Sequence, residues 1–425
     1  MQSTCAPGRL RAGKGDDVRE GCPVELHRDI LGENPHDGGM GLEAMLIPET
    51  GGQSVPACDP ALRRKALPEE RPELRRWKFS ELLSEAAVKA RWEKVRQYFF
   101  LRESTYDLTN RCNLRCDGCY YFEGAKQFAQ ENSDSGAWRE LMRREKERGI
   151  TYVVLAGAEP SLVPELLDVC FTEMPLGCIA TNGFHRIDPG VGYRIHISVW
   201  GNDETSRKVR KAGELLRRQI ENYRDDPRAV FVYTFTRGNI TEAAEVMDAL
   251  AAANCRVTFN VFSAPVGYTG SLRHDSVSLA RTREVMGEMM ALYPRHVLFS
   301  PYNAVAHTHD KGLHELYRCS YPRMNASTSI GLGRSFRQFR TDLTWDREAA
   351  CCVPDTDCAD CRHYAAGSAV VTSRLYGHVA DPPSFKSWLD YVDTYLAVWV
   401  MGYEKGENLC AEMVSPPGCE GMGKR

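Results

Sequence analysis

No stretch of this sequence is apolar for long enough to cross a bilayer. The longest apolar run lies around Tyr395 to Met401, whereas a membrane-spanning helix needs about 20 such residues. The first residues, Met1 to Asp17, also lack the apolar core of a signal peptide. We therefore expect a cytoplasmic protein that has no membrane partner.

The chain also lacks an excess of charge of either sign. Its 425 residues include 54 Lys and Arg against 57 Asp and Glu, which gives a formal net charge of −3. A protein that binds nucleic acid through charge usually has a marked basic excess. The local basic run over 207–211 is typical of a solvated helix face. We therefore expect no nucleic-acid partner.

Cysteine, by contrast, is abundant, with 16 residues in the chain. Disulfides are rare in the reducing cytosol, so these cysteines need another explanation. Several of them are clustered in short segments, which is typical of metal sites. Cys170, Cys178 and Cys255 lie instead within helix or strand patterns, and we interpret them as small core residues.

Strand and helix patterns alternate along the middle of the chain. Strands are predicted over 99–109, 152–156, 178–180, 195–200, 230–235 and 257–262, and helices over 134–148, 166–170, 203–223 and 241–253. Repeated strand–helix–strand units predict an α/β fold, in which helices cover a parallel sheet. Ligands of such sheets bind at the carboxyl ends of the strands.

Composition divides the chain into four regions. Residues 1–72 are rich in Gly and Pro and are predicted to be a loosely ordered extension, followed by a helical lead-in over 73–98. Residues 99–300 form the predicted core domain. Residues 301–425 are interpreted as a loop-rich, cysteine-rich C-terminal domain, in which aromatic residues over 385–403 predict a helix packed on the core.

The strongest motif is the group Cys112, Cys116 and Cys119, at CxxxCxxC spacing just after the first predicted strand. Three thiolates satisfy three irons of a cubane cluster and leave the fourth iron open to a ligand. A structural zinc site is the alternative. Zinc needs a fourth ligand to complete a tetrahedron, and no His or Cys follows at short, finger-like spacing. The spacing therefore favours an iron–sulfur cluster and leaves zinc as the second interpretation.

This motif and the chain around it, over roughly Tyr106 to Gly270, resemble the radical S-adenosylmethionine (SAM) superfamily. Gly157-Ala158-Glu159-Pro160 ends the second strand, where the family typically has a Gly-Gly-Glu-Pro motif that receives the methionine amino group. Thr181-Asn182-Gly183 ends the third strand, as in many members. Taken alone, each of these segments is an ordinary turn. Their order along successive strands is what carries the resemblance.

The resemblance assigns further SAM contacts to later segments. Ser198 is expected near the ribose or carboxylate, Arg207 or Arg210 at the carboxylate, and the segment from Asn260 to Gly267 around the adenine. Two positions depart from the family pattern. Gly118 stands where an aromatic residue often precedes the third cysteine, and Tyr120 or Tyr121 is expected to compensate. Ala158 replaces a glycine but is small enough to let the backbone approach SAM.

Several properties follow from the resemblance. It implies a partial (β/α)6 TIM-type barrel with a [4Fe–4S] cluster on Cys112, Cys116 and Cys119. The reduced cluster would cleave SAM, bound at the open iron, into methionine and a 5′-deoxyadenosyl radical that abstracts hydrogen from a substrate. A flavodoxin or ferredoxin is the expected electron donor. Whether the enzyme is an oxidoreductase, a lyase or a transferase stays open.

A second cysteine group follows in the C-terminal region. Cys358 and Cys361, at CxxC spacing, suit two adjacent corners of a metal site. The region resembles the SPASM or twitch extension of some radical SAM families, which implies one auxiliary [4Fe–4S] cluster. The implied ligands are Cys319, Cys352, Cys358 and Cys361, with Cys351, Cys410 and Cys419 as alternatives. A zinc site and unliganded thiols are the other interpretations.

The substrate is the least determined feature. Residues 1–72 are too rich in Gly and Pro to form a domain that grips a leader peptide. We therefore expect a small-molecule substrate, such as a sugar, an aminocyclitol or another metabolite of natural-product biosynthesis. Modification of a peptide or protein side chain is the alternative. A non-catalytic zinc-binding scaffold is the alternative from another class, although it gives no reason for the SAM-like segments.

Overall fold

A computed structural model of the protein describes residues 77–313, 336–345, 356 and 360–409. The predicted extension over 1–72 lies outside these residues. The same is true of Cys319, Cys351, Cys352, Cys358, Cys410 and Cys419. None of the helices in the described part of the chain is long and apolar enough to cross a membrane.

A parallel sheet forms the centre of the fold. Its strands are β1 (Glu103–Asp107), β2 (Tyr152–Ala156), β3 (Gly177–Thr181), β4 (Arg194–Val199), β5 (Ala229–Phe235), β6 (Val257–Val261) and β7 (Gln338–Phe339). They stand in the order β6-β5-β4-β3-β2-β1-β7, and every neighbouring pair is parallel. This arrangement confirms the predicted α/β partial barrel. The short strand β7, beside β1, adds to the six strands predicted from the sequence.

Helices connect the strands and cover the sheet. They are α1 (Phe79–Leu82), α2 (Ala86–Arg96), α3 (Tyr120–Glu123), α4 (Ser135–Glu147), α5 (Pro164–Glu173), α6 (Asp203–Val209), α7 (Leu215–Tyr223), α8 (Ala243–Ala252), α9 (Ser276–Leu292), α10 (Pro301–His307), α11 (Tyr364–Gly377) and α12 (Pro382–Trp399). Three of them, α10, α11 and α12, belong to the region in which composition predicted mainly loops.

The helix predicted over 203–223 is two helices, α6 and α7. The break contains Lys211 and Glu214, which have positive φ angles of 59° and 55°. This left-handed conformation cannot continue a right-handed helix. The Asn202 side chain accepts hydrogen bonds from the first turn of α6, so Asn202 caps this helix. Asp203, the first residue of the predicted helix, instead accepts a hydrogen bond from Leu216 N in α7 at 2.7 Å.

Successive side chains of β1 face different environments, as expected for a strand with period two. Tyr106 faces the helical layer, where its hydroxyl donates to Glu145 of α4 at 3.1 Å and its ring stacks on Phe339. Glu103 and Thr105 face the other way and line an internal cavity. One face of the sheet therefore packs in the apolar core, and the other carries polar groups.

Helix α12 packs against the amino ends of the strands, which confirms the predicted packing of the 385–403 helix. Arg194, the first residue of β4, donates to Ala397 O at 3.1 Å and Val400 O at 2.6 Å. The Tyr152 hydroxyl, at the start of β2, donates to Trp399 O at 2.6 Å. These bonds use backbone carbonyls that the end of a helix leaves without partners.

The buried His196 makes the fold sensitive to acid. Its Nε2–H donates to Val398 O and its Nδ1 accepts from the Tyr364 hydroxyl, each at 2.9 Å. Burial lowers the pKa of His196 to about 4, from about 6.5 in an unfolded chain. Between these two values the unfolded chain binds a proton that the folded chain does not, so stability falls as the pH falls.

We therefore expect His196 to reduce the free energy of unfolding by about 3 kcal/mol as the pH falls from about 7 to about 4. Urea denaturation across this range measures the effect. The loss should be smaller in His196→Gln, whereas His185→Gln, which changes an exposed histidine, should keep the wild-type profile. Identical pH profiles for wild type and His196→Gln would contradict the expectation.

Candidate active site

A cavity of about 250 Å³ lies at the carboxyl ends of the strands and continues along their inward faces. This is where ligands of parallel α/β folds bind. Most of the site residues predicted from the sequence line it, namely Cys112, Cys116, Cys119, Tyr120, Gly157, Ala158, Glu159, Asn182, Ser198, Arg210 and Asn260. Arg207 is exposed and Pro160 is buried, and neither lines the cavity.

The three cysteines lie on the loop between β1 and α3, and each thiol is partly buried. Cys119 is the residue that precedes the first turn of α3. Burial raises the pKa of Cys112 to about 11, against the lowering effect of a hydrogen bond from Leu114 N. Burial also raises the pKa of Cys119. Coordination to a metal would deprotonate such thiols outright.

Donor groups from three parts of the chain are directed at these sulfurs. Leu114 N donates to Cys112 Sγ at 3.3 Å, and Asn182 Nδ2 lies 3.8 Å from the same atom. Arg210 Nε lies 3.5 Å from Cys116 Sγ. N–H groups in these positions stabilise thiolates and tune metal centres.

The donor set fits an iron–sulfur cluster better than zinc. In the described part of the chain, no three Cys, His, Asp or Glu side chains already surround one metal position. Three thiols nevertheless face one cavity, which matches a cubane cluster with one open iron. A structural zinc ion would need a fourth protein ligand.

Gly157 brings the end of β2 close to the end of β1. Its φ angle is +119°, and a Cβ atom there would lie 2.9 Å from Leu108 N and 3.0 Å from Thr109 O. The next residue, Ala158, donates its N–H to Thr109 O at 2.9 Å. The positive φ angle and the close backbone contacts at position 157 therefore both require glycine.

We expect Gly157→Ala to lower the free energy of unfolding by about 1–3 kcal/mol. The control is Gly287→Ala in α9, where an added Cβ atom meets nothing within 4 Å. Because alanine is the better helix former, this control should stabilise the protein by up to about 1 kcal/mol. Urea denaturation measures the free energy of unfolding of both variants. If both substitutions change it in the same direction, position 157 has no special requirement for glycine.

Glu159 organises the ends of β2 and β3. It is 1% exposed, and its Oε1 accepts hydrogen bonds from Ser161 N at 3.0 Å and from the Thr181 hydroxyl at 2.6 Å. Its Oε2 accepts from Asn182 N at 2.7 Å. The carboxylate is thus occupied by donors of the chain itself, so we interpret Glu159 as a residue that positions its neighbours.

Asn182 connects β3 to the cysteine loop. Its Nδ2 donates to Asn113 Oδ1 at 2.8 Å, and its Oδ1 accepts from Phe184 N at 2.9 Å. Gln219 of α7 donates to the carbonyls of both Asn182 and Ser198, at 2.7 and 2.9 Å. Gln219 therefore holds the ends of β3 and β4 together, a role that no sequence motif indicated.

Of the two arginines predicted near the SAM carboxylate, the structure places only Arg210 in the cavity. Arg210 is buried, donates to the carbonyl of Ser198, and packs over the Trp200 ring, with 5.6 Å between its guanidinium carbon and the ring centroid. The Ser198 hydroxyl accepts from Trp200 Nε1 at 3.0 Å. Arg207 faces solvent. The difference arises because α6 ends at Val209, so Arg210 leaves the helix beside Cys116.

The aromatic wall of the cavity comes from the residues that directly follow β4 and β6. At Gly118, which has a φ angle of +65°, a Cβ atom would lie 2.8 Å from the Phe262 ring and 3.1 Å from the Tyr268 ring. Phe262 also packs edge-on against Trp200, with centroids 5.7 Å apart. Phe262 therefore occupies the space beside Gly118, where the family often has an aromatic residue, and Tyr120 and Tyr121 also line the cavity.

Asn260 fixes the last part of the wall. Its Oδ1 accepts from Tyr364 N at 3.0 Å, and its Nδ2 donates to the Thr234 hydroxyl at 3.3 Å. This residue therefore connects β6 to the start of α11.

The remaining cysteines fall into two groups. Cys170, Cys178 and Cys255 are buried in the core, as predicted. Cys361 is buried as well, and its carbonyl accepts from Leu313 N at 3.1 Å. The other predicted auxiliary-cluster ligands lie outside the described residues, so that cluster stays a prediction.

Comparisons with known proteins give matches among solved structures alone, since no protein-family model and no curated protein match the chain. Streptococcus suis SuiB bound to S-adenosylmethionine is 15% identical over 62% of this chain and 64% of that one, with a TM-score of 0.44. SuiB bound to precursor peptide SuiA is 15% identical over 75% and 76%, with a TM-score of 0.44. Native anSMEcpe with bound AdoMet and Cp18Cys peptide is 13% identical over 67% and 83%, with a TM-score of 0.41.

Two of these solved structures contain bound S-adenosylmethionine. In the first comparison the chain spans less than two thirds of the length of SuiB. With TM-scores below 0.5, the likenesses by themselves establish neither the reaction nor the substrate of this chain.

Proposed function

We propose that this protein is a radical SAM enzyme that abstracts a hydrogen atom from a small-molecule substrate. One observation carries the proposal. Cys112, Cys116 and Cys119 face a cavity at the carboxyl ends of a parallel sheet, and Asn182 and Arg210 direct N–H groups at two of their sulfurs. The superfamily places its cluster and SAM in such a position.

The three cysteines would hold a [4Fe–4S] cluster with one open iron. When bound and reduced, that cluster supplies the electron that splits SAM into methionine and a 5′-deoxyadenosyl radical. The chain's own residues bind and orient SAM. Arg210 would contact the SAM carboxylate, the backbone of Gly157 and Ala158 its amino group, and the rings of Phe262 and Trp200 its adenine, since all five residues line the cavity. Burial of these groups excludes water from the radical.

The preference for a small molecule rests on the sequence. Residues 1–72 are too rich in Gly and Pro to form a domain that grips a leader peptide. Modification of a peptide side chain is the second candidate, and it is favoured by the peptide-bound structures among the similar proteins. We further propose an auxiliary cluster that includes Cys361, and a flavodoxin or ferredoxin as electron donor.

The decisive experiment is anaerobic purification and reconstitution with iron and sulfide, followed by dithionite reduction in the presence of SAM. We expect a brown protein that forms 5′-deoxyadenosine. A colourless protein that holds zinc and forms no 5′-deoxyadenosine after reconstitution would support the non-catalytic scaffold instead. Coexpression with candidate precursor peptides, and a mass shift on one of them, would favour the peptide-modifying alternative.

A further inference from the structure

The exposed members of the basic run over 207–211 have no role in the proposed function, yet they lie beside the cysteine loop. Asp117 N, in that loop, donates to Val209 O at 2.8 Å. Lys211 Nζ donates to Asp117 Oδ2 at 2.9 Å. These two bonds hold the end of α6 against the loop that carries the three cysteines.

Positive charge is concentrated in these two segments. Residues 111–119 and 207–218 together contain eight Lys and Arg against two Asp and Glu, in a chain whose net charge is −3. Carboxylates offset part of this charge through the ion pairs Arg111–Glu131, Lys208–Glu204, Lys211–Asp117, Arg217–Glu214 and Arg217–Glu221. Arg115, Arg207 and Arg218 are exposed and form no ion pair with a carboxylate in the part of the chain that the structure describes.

Two of these three arginines are held close to the cysteines. Arg115 Nη1 donates to the carbonyl of Cys112 at 3.2 Å. The guanidinium carbon of Arg218 lies 4.1 Å from the centroid of the Phe184 ring. Phe184 in turn packs in a small apolar cluster with Cys112 and Cys116. Exposed positive charge therefore lies next to two of the proposed cluster ligands.

An exposed aromatic ring lies near the start of the same loop. Phe128 is 81% exposed, and the carbonyl of the next residue, Ala129, accepts a hydrogen bond from Asn110 Nδ2 at 2.5 Å. Asn110 directly precedes Arg111. Aromatic residues and arginine are enriched at protein–protein interfaces. The surface thus suits a protein partner better than a small anion.

Building on the proposed function, we propose that Arg115, Arg207 and Arg218 form a basic surface that docks the electron donor, a small redox protein with an acidic face. Opposite charges speed the encounter of two proteins and orient them. Docking here brings the donor to the loop that holds the proposed cluster. One electron passes to the cluster, so the donor is oxidised by one electron and the cluster is reduced by one, and no bond or proton moves.

The rate of 5′-deoxyadenosine formation with two reductants tests this surface. One reductant is flavodoxin kept reduced by its NADPH-dependent reductase, and the other is methyl viologen, a small cation reduced at an electrode. Arg115→Glu/Arg218→Glu should lower kcat/KM for flavodoxin by at least about 10-fold. The rate with methyl viologen should stay at the wild-type value or rise. An unchanged kcat/KM for flavodoxin, or an equal loss with both reductants, would overturn the proposal.

A control variant and a salt titration complete the test. Arg295→Glu changes an exposed arginine next to His296, whose carbonyl accepts from Val257 N at the amino end of β6. This variant lies at the opposite end of the sheet and should keep the wild-type kcat/KM. In the wild type, an increase from about 50 to about 300 mM NaCl should slow the reaction with flavodoxin by at least about 5-fold. A rate with flavodoxin that does not depend on salt would overturn the proposal, whether or not the variants fold.

A binding measurement separates the basic surface from the proposed function. Fluorescence anisotropy of labelled, oxidised flavodoxin measures docking to the reconstituted protein without SAM cleavage. If the wild type binds flavodoxin at least about 10-fold more tightly than the double variant but never forms 5′-deoxyadenosine, the surface stands and the enzyme does not. If SAM is cleaved with methyl viologen but the two proteins bind flavodoxin equally, the surface is wrong and the enzyme stands. Tighter binding of a DNA duplex of about 20 base pairs than of flavodoxin would overturn the assignment to a redox protein.

Discussion

Replacement of Cys112, Cys116 and Cys119 by alanine is expected to remove about four irons per chain and to abolish 5′-deoxyadenosine formation, to below about one thousandth of the wild-type rate. These thiols are the protein ligands of the proposed cluster, and each of them lines the cavity. A cubane that loses all three thiolates has no remaining protein ligand there. Iron and sulfide analysis after anaerobic reconstitution, together with chromatographic detection of 5′-deoxyadenosine, provides the measurement.

The matched control is Cys255→Ala. Cys255 is 3% exposed and lies in the core, where its Sγ contacts the carbonyl of Ala253 at 3.6 Å. This variant should keep the wild-type iron content even if it is less stable. Circular dichroism of the triple variant shows whether the fold persists. If the triple variant keeps its iron and its SAM cleavage, the cysteine loop does not hold the cluster.

The same measurement decides the second metal site. If the wild type holds about eight irons and the triple variant about four, one auxiliary cluster is present besides the SAM cluster. If the wild type holds about four and the variant none, the C-terminal cysteines carry no cluster. The buried position of Cys361 is compatible with either result, because a buried cysteine also serves as a small apolar residue.

The features that the sequence predicted well are those set by local pattern. The strand over 152–156 was predicted with the bounds of β2, because a short run of β-branched and apolar residues between turn signals is a strong local signal. The cysteine loop follows β1 directly, so its place at the carboxyl end of the sheet follows from chain order alone.

The features that the sequence did not reveal depend on long-range contacts. Strand β7 has two residues, too few to show a period, and its place is set by pairing with β1. Phe262 fills the space beside Gly118 only because the sheet brings β6 next to the cysteine loop. The separation of Arg207 from Arg210 depended on a helix break at Lys211 and Glu214, residues that do not usually adopt a positive φ angle.

Glu159→Gln is expected to lower the free energy of unfolding by about 2–4 kcal/mol and to weaken SAM binding by at least about 10-fold. The substitution keeps the size of the side chain but replaces one acceptor oxygen with an NH2 group. In one orientation that group faces the N–H of Asn182, and in the other it faces the N–H of Ser161, so one of these two backbone donors loses its acceptor. Either orientation leaves two buried donors opposed, and the end of β3 must move away from the cysteine loop.

Two further variants separate this effect from a general loss of charge. Glu165→Gln removes an exposed carboxylate in α5 and should leave stability within about 0.5 kcal/mol of the wild type. Thr181→Val removes one of the three donors to Glu159 and should cost about 1 kcal/mol. Urea denaturation gives the stabilities, and calorimetry with SAM at a temperature where every variant is folded gives the affinities. Asn182 connects Glu159 to Cys112. If Glu159 positions the cysteine loop through Asn182, the folded Glu159→Gln protein should bind SAM more weakly than the wild type. An unchanged SAM affinity would mean that Glu159 only stabilises the fold.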